Sequence, residues 1–339
     1  MRVARTAGPW CSRQMWWAVL VSLLAPGFGQ ALVHRRVRAA VWAAATLVAV
    51  VGLVWSVWLY PIAMLARIAG AIDAAIVLRR DARPGGLDRA AGAIVVVIAA
   101  VGLGYAQLAV GSFTIPSSSM YPAIEIGDHV FVDKLTPHWR PIERGELVVH
   151  RYPCDPRVTY VKRVIAIAGD TVEVRCDVVY VNGKAAPHTL VAKDWEYEDY
   201  DQSNGTWYRK QVSRWHEQLD GHAYDVFEGL GAEPGGRDFP RIDSPFAPGC
   251  SSQPMFRDVA KPHEVHGEIV DDKPGADTCA PQRHYVVPKG AVFVMGDNRY
   301  NANDSRYWGA VAESDVVGRV IGVWWNNGQS GPGRIGAVR

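Results

Sequence analysis

Three stretches of this chain carry side chains that could make and break covalent bonds. PSSSMYP, Pro116–Pro122, places the hydroxyls of Ser117, Ser118 and Ser119 shortly after an apolar run that ends at Val110. YVKRVIAIAGD, Tyr160–Asp170, sets Lys162 and Arg163 among branched apolar residues, and GDNRYNANDSRYWG, Gly296–Gly309, carries Asp297, Arg299, Asp304, Ser305 and Arg306. A serine hydroxyl needs a base before it can attack a carbonyl. A lysine, with an ordinary pKa near 10.4, is almost wholly charged at neutral pH and can be that base only if its surroundings disfavour the ammonium; full burial can lower such a pKa by up to about 3 to 5, about what bringing it close to neutrality needs. In an extended strand Lys162 shares a face with Tyr160, Val164 and Ala166, an apolar setting of the required kind, while Arg163 points the other way with Val161 and Ile165. His150 raises the alternative of a Ser-His-Asp triad, but no serine stands in a Gly-x-Ser-x-Gly elbow. The chain likewise has no His-Glu-x-x-His zinc site and no glycine-rich phosphate loop.

The elements that must hold these residues follow two different rhythms. After Val110 the apolar pattern has period two, at His129–Val132, Glu146–Tyr152, Thr159–Ile167, Thr171–Arg175 and Val178–Val181, then at Ala291–Met295 and Val316–Trp325. Turn chemistry at Gly127-Asp128, Gly169-Asp170 and Asn182-Gly183 separates these strands. Residues 185–284 are rich in Gly, Pro, Asp and His with weak periodicity and are expected to form an insertion between two halves of one β domain, 112–184 and 285–339.

Residues 1–111 are different. Ala39–Tyr60 and Ala90–Val110 are uncharged for 22 and 21 residues, each long enough to span a bilayer as helix. Segments 15–33, broken by Pro26, and 62–78, carrying Arg67 and Asp73, are weaker candidates. Arginines at 35, 36 and 38 and at 79, 80, 83 and 89 place both connections on the cytoplasmic side, which delivers everything after Val110 to the outer face. Residues 1–115 hold eleven Arg against three Asp, a net +8, leaving −6 for the rest, so no basic face is expected for nucleic acid. Four of the five cysteines, Cys154, Cys176, Cys250 and Cys279, fall in the outer part, where an oxidising compartment favours two bridges of unspecified pairing; Cys11 is left over. His263 and His266 with Cys250 and Cys279 match no zinc-ligand spacing, and no metal is expected. Phe113, Tyr121 and Trp308 are candidates either for the lipid interface or for the core.

Together with GDHVFVDK, Gly127–Lys134, the three chemical segments resemble, in order, the motifs of bacterial type I signal peptidases over roughly residues 112–325. The resemblance implies N-terminal transmembrane helices followed by a mainly antiparallel β catalytic domain with an inserted, loop-rich β subdomain. It implies Ser119 as nucleophile, Lys162 as general base, and an oxyanion hole formed by the Ser117 hydroxyl and the Ser119 backbone N–H. Arg163, Asp297, Asp304 and Arg306 would be scaffold, with Arg163 and Asp297 as a pair. The substrates would be exported preproteins bound as a strand and cut after small residues of Ala-x-Ala type, at the outer face of the bacterial cytoplasmic membrane, without a cofactor. One departure stands out: Ala302 occupies the position where the family commonly has a serine that bonds the catalytic lysine, so Ser305, a backbone carbonyl or water must orient the amine. That departure raises two alternatives, a catalytically weakened homologue that binds exported peptides, and a Ser-Lys peptidase restricted to pilus or conjugation proteins.

Overall fold

A computed structural model describes residues 12–33, 35–51, 59–80, 108–230, 238–241, 248–250, 263–273, 279–328 and 331–338, with single residues between 97 and 104. Contacts divide the chain into two units, Met1–Gly111 and Ser112–Arg339.

In the first unit, α1 (Ser12–Leu24) and α2 (Phe28–Leu32) are separated at Pro26-Gly27, where proline supplies no N–H and Gly27 takes a φ of 99°. Helices α3 (Arg36–Val51) and α4 (Leu59–Arg80) follow. Asp73 on α4 gathers donors from three residues: Gln30 Nε2 at 3.0 Å, Trp42 Nε1 at 3.1 Å and Arg38 Nη1 at 3.1 Å. Among the described residues no helix is long and apolar enough to cross a membrane. The expected span 39–60 continues past α3 into residues outside the described set, and most of 90–110 lies outside it as well, as does Cys11.

The second unit is built on antiparallel sheet. Its main sheet has seven strands: β1 (Val110–Thr114), β2 (Asp128–Asp133), β3 (Leu147–Tyr152), β4 (Asp155–Ala166) and, further along the chain, the strands Ala291–Met295, Val311–Ala312 and Val316–Asn326. A second sheet contains β5 (Thr171–Arg175), β6 (Val178–Val181) and β7 (Lys184–Ala185). The β6–β7 turn is Asn182-Gly183, both at positive φ, 52° and 72°, as a tight hairpin of this handedness requires. The third sheet is β8 (His188–Asp201), β9 (Thr206–Leu219) and β10 (His222–Gly229). Strands β11 (Glu268–Asp271) and β12 (Arg283–Val286) then complete the second sheet. Strands β13 (Ala291–Met295), β14 (Val311–Ala312) and β15 (Val316–Asn326) give the main sheet the order β1-β2-β15-β3-β4-β13-β14.

The period-two segments of the sequence coincide with β2 to β6, β13 and β15 to within a few residues at their ends. Within 185–284, expected as an inserted, loop-rich β subdomain, lie two 14-residue strands, β8 and β9. Tyr121 and Trp308 are core residues, 8% and 1% exposed, not interface anchors, and Phe113 packs partly against the core around Met120 and Ile124. Disulfides join Cys154 to Cys250 and Cys176 to Cys279, with Cα–Cα distances of 5.3 and 5.4 Å. Cys250 and Cys279 are therefore not thiolates available to a metal.

Candidate active site

Ser118–Met120 forms one 3-10 turn between β1 and β2, closed by Tyr121 N–H donating to the Ser118 carbonyl at 3.1 Å. Met120, 1% exposed, pins the turn in the core with Ile124, Val130 and Val149. Ser118 is buried, while Ser119 is half-buried and Ser117 exposed, their Oγ atoms 3.3 Å apart.

Lys162 lies on β4, opposite Val148 of β3, and is 3% exposed. Its Nζ stands 2.9 Å from Ser119 Oγ and donates to the Val161 carbonyl at 2.9 Å, with the Tyr160 ring centroid 5.2 Å away. Burial lowers this amine to about 8; the carboxylates of Asp304 and Asp297 pull it upward and the Arg306 guanidinium pushes it down further. Desolvation therefore outweighs two nearby negative charges. Of the alternatives the sequence left open, a backbone carbonyl, that of Val161, is the one bonded to the amine. Ser305 Oγ instead accepts from Val294 N–H at 3.0 Å.

Behind Ser119 and Lys162 lies a set of buried ion pairs. Arg163 Nε and Nη2 donate to both oxygens of Asp297 at 2.8 and 2.7 Å, Nη1 donates to the Gly145 carbonyl at 2.7 Å, and the guanidinium lies 3.7 Å from the Tyr224 ring centroid. Asp304 caps α5 (Ser305–Trp308), holds Arg306 at 2.9 Å through both oxygens and accepts Gly296 N–H at 3.1 Å. Arg299, 2% exposed, pairs with Glu217 of β9 at 2.6 Å, and Glu217 accepts the Tyr224 hydroxyl at 2.5 Å. Glu217, Tyr224, Tyr197 and Asp199 belong to the third sheet and were not foreseen; the i, i+2 spacing of Tyr197 and Asp199 is the one sequence signal that they share a strand face.

Gly296 is needed for a close approach. A Cβ there would stand 2.5 Å from the Ser119 carbonyl oxygen and would collide with the Ala302 methyl. His150 is fully buried, and burial lowers its imidazole to about 3, so it is neutral; its Nδ1 is 2.7 Å from the Arg151 carbonyl and its ring packs against Trp308. It has no hydrogen bond to any of the three serines. A cleft of about 750 Å³ opens over Ser119 and Lys162, walled by Ile115 and Pro116 on one side, Val158 to Val161 on another, and Asp199 to Gln202 of β8 and its turn.

A hydroxyl 2.9 Å from a buried, desolvated amine at the floor of an open cleft is equipped for nucleophilic attack with proton transfer to nitrogen. Comparison with known proteins gives the same direction. The sequence model described as "Signal peptidase, peptidase S26" matches residues 88–325. Signal peptidase I of Aquifex aeolicus is 29% identical over 226 residues, covering 63% of this chain and 75% of that one. Signal peptidase I of Pseudomonas fluorescens is 28% identical over 237 residues, covering 62% of this chain and 63% of that one. A solved signal peptidase I from Enterococcus faecalis aligns with 53% of this chain and 97% of that one at 22% identity, with a TM-score of 0.22.

Proposed function

The chain belongs to the signal peptidase, peptidase S26, family and is a serine endopeptidase of the type I signal peptidase kind, and on that premise we propose that it removes N-terminal signal peptides from exported preproteins with Ser119 as nucleophile and Lys162 as general base. The observation that carries this reading is the 2.9 Å approach of Ser119 Oγ to the buried Lys162 Nζ. With Nζ donating to the Val161 carbonyl, its lone pair is free to face the Ser119 hydroxyl.

Oγ attacks the scissile carbonyl carbon as its proton passes to Nζ. The negative oxygen that forms is received by the Ser119 N–H and the Ser117 hydroxyl, a type of donor whose loss costs about 10² to 10³ in rate. As the C–N bond breaks, the ammonium returns the proton to the departing amine of the mature protein. Water then attacks the acyl ester as its proton passes to Nζ, the bond between the acyl carbon and Ser119 Oγ breaks as the ammonium returns that proton to Oγ, and the signal peptide leaves with a new carboxylate. The Val161 carbonyl fills the orienting role at Ala302, which favours cleavage over a binding-only homologue.

The same proposal takes the apolar segments of residues 1–111 as the anchor in the bacterial cytoplasmic membrane, with the domain from 112 onward on the outer face, divided into 112–184 with 285–339 and the insertion 185–284. The paired disulfides support an oxidising outer location.

The test is incubation of the purified chain with a preprotein carrying an Ala-x-Ala site, followed by sequencing of the product N-terminus. Cleavage after the second alanine that disappears in Ser119→Ala supports the reading; a product that persists in Ser119→Ala refutes it. Because only the neutral amine accepts the proton, kcat/KM is expected to climb with pH and level off above about 8, measured as initial rates between pH 6 and 10. Gly296→Ala forces the Ser119 carbonyl to shift, and kcat is expected to drop about 100-fold, the scale of an ångström-sized misplacement. An unaltered kcat would mean that the turn adapts freely.

A further inference from the structure

We propose that Asp199, in the third sheet, is a positioning residue for the nucleophile: through Ser118 and Asn301 it fixes the turn that carries Ser119, which makes the inserted sheet part of the catalytic apparatus. This rests on the reading of Ser119 as nucleophile.

The clamp has two arms, each built from one β8 residue and one asparagine of the GDNRYNANDSR segment. In the first, Asn301 Nδ2 donates to Ser118 Oγ at 2.9 Å and to Asp199 Oδ2 at 2.8 Å. In the second, Asn298 Nδ2 donates to the Ser118 carbonyl at 3.0 Å and lies 2.9 Å from the Tyr197 hydroxyl, while Asn298 N–H donates to the Ser119 carbonyl at 3.2 Å. Past the turn, the Tyr121 ring meets the Tyr197 ring edge-on at 5.2 Å. Ser118 is thus held at its hydroxyl and at its carbonyl, leaving the adjacent Ser119 one presentation toward Lys162.

Asp199 must be charged to do this. It is 4% exposed, and its Oδ2 receives Asn301, Lys210 Nζ at 2.9 Å and the Tyr208 hydroxyl at 3.2 Å, while Oδ1 accepts Tyr200 N–H at 2.9 Å. Burial alone would raise its pKa, but the hydrogen bonds from Ser118 and Lys210 outweigh burial and hold it below the usual carboxylate range. An amide NH₂ in place of Oδ2 would face three donors. Nothing in this arrangement touches the Lys162 amine, so loss of Asp199 should alter how Ser119 is presented without altering the proton acceptor.

The experiment uses the full chain in detergent with a signal-peptide substrate, comparing wild type, Asp199→Asn, Ser118→Ala and the double variant, with thermal midpoints recorded in parallel. The expected result is a fall in kcat of about 30-fold in each single variant and about the same in the double, because both act through one contact. KM should stay within about twofold, because Asp199→Asn keeps the size of the side chain in the cleft wall and Ser118→Ala removes only a buried hydroxyl, and the pH midpoint should not move, since the amine is untouched. A kcat for Asp199→Asn equal to wild type at any thermal midpoint overturns the proposal, as does a double variant whose losses multiply. If wild type cleaves no preprotein, the functional reading fails instead, and amide hydrogen exchange over residues 117–124 decides the clamp. Exchange about tenfold faster in Asp199→Asn supports it, and unchanged exchange overturns it.

Discussion

Lys162→Ala is expected to lower kcat by about 10⁴- to 10⁶-fold, the loss seen when one member of a nucleophile–base unit is removed. The double variant with Ser119→Ala should be no slower than either single one, because neither group acts alone. The same lysine is expected to weaken the fold. Its folded pKa of about 8 lies below the 10.5 of an ordinary lysine, so between these the unfolded chain binds more protons and stability rises as pH rises from about 8 to 10.5. Below about 8 the full penalty applies, roughly 3 kcal/mol at 1.36 kcal/mol per pH unit. Lys162→Met, of similar volume and never charged, should therefore raise the thermal midpoint at pH 7 while abolishing cleavage, and the gain should shrink toward pH 10.5. A lower midpoint at pH 7 would show that the amine stabilises the fold and is not held there against its own solvation.

Asp297→Ala should destabilise the β domain by about 3 to 5 kcal/mol, because Arg163, 2% exposed, would be left as a buried cation without its bidentate acceptor. Chemical denaturation monitored by tryptophan fluorescence reads this directly. Arg163→Met together with Asp297→Leu should cost much less than Asp297→Ala alone, since removing both charges leaves no uncompensated ion. If single and double variants lose equal stability, the pair matters for its shape and not for its charge.

The main sheet and the meeting of Ser119 with Lys162 were legible because their signals are local. Strand periodicity marks β2 to β6, and the four motifs are short. The third sheet was hidden for a physical reason: β8 is exposed at most of its first nine positions, from His188 to Glu196, and buries only Tyr197 and Asp199, so there is no apolar alternation to detect. The pairing of Arg299 with Glu217 joins residues 82 apart in sequence, and no period in either segment encodes the other. The lysine's partner at Val161 was invisible for another reason. It is a backbone carbonyl, which every residue possesses, so residue type carries no trace of it.

The cross-links have a consequence for how the molecule is made. In chain order the bridged cysteines are 154, 176, 250 and 279, and the bonds run from first to third and from second to fourth. A polypeptide meeting an oxidant from its N-terminal side exposes Cys154 and Cys176 together before either true partner arrives. Oxidation at that moment seals a bond that the finished protein lacks. Such a chain depends on thiolate exchange to release the early bond, and its yield in a cell should follow the supply of a disulfide isomerase rather than that of an oxidase.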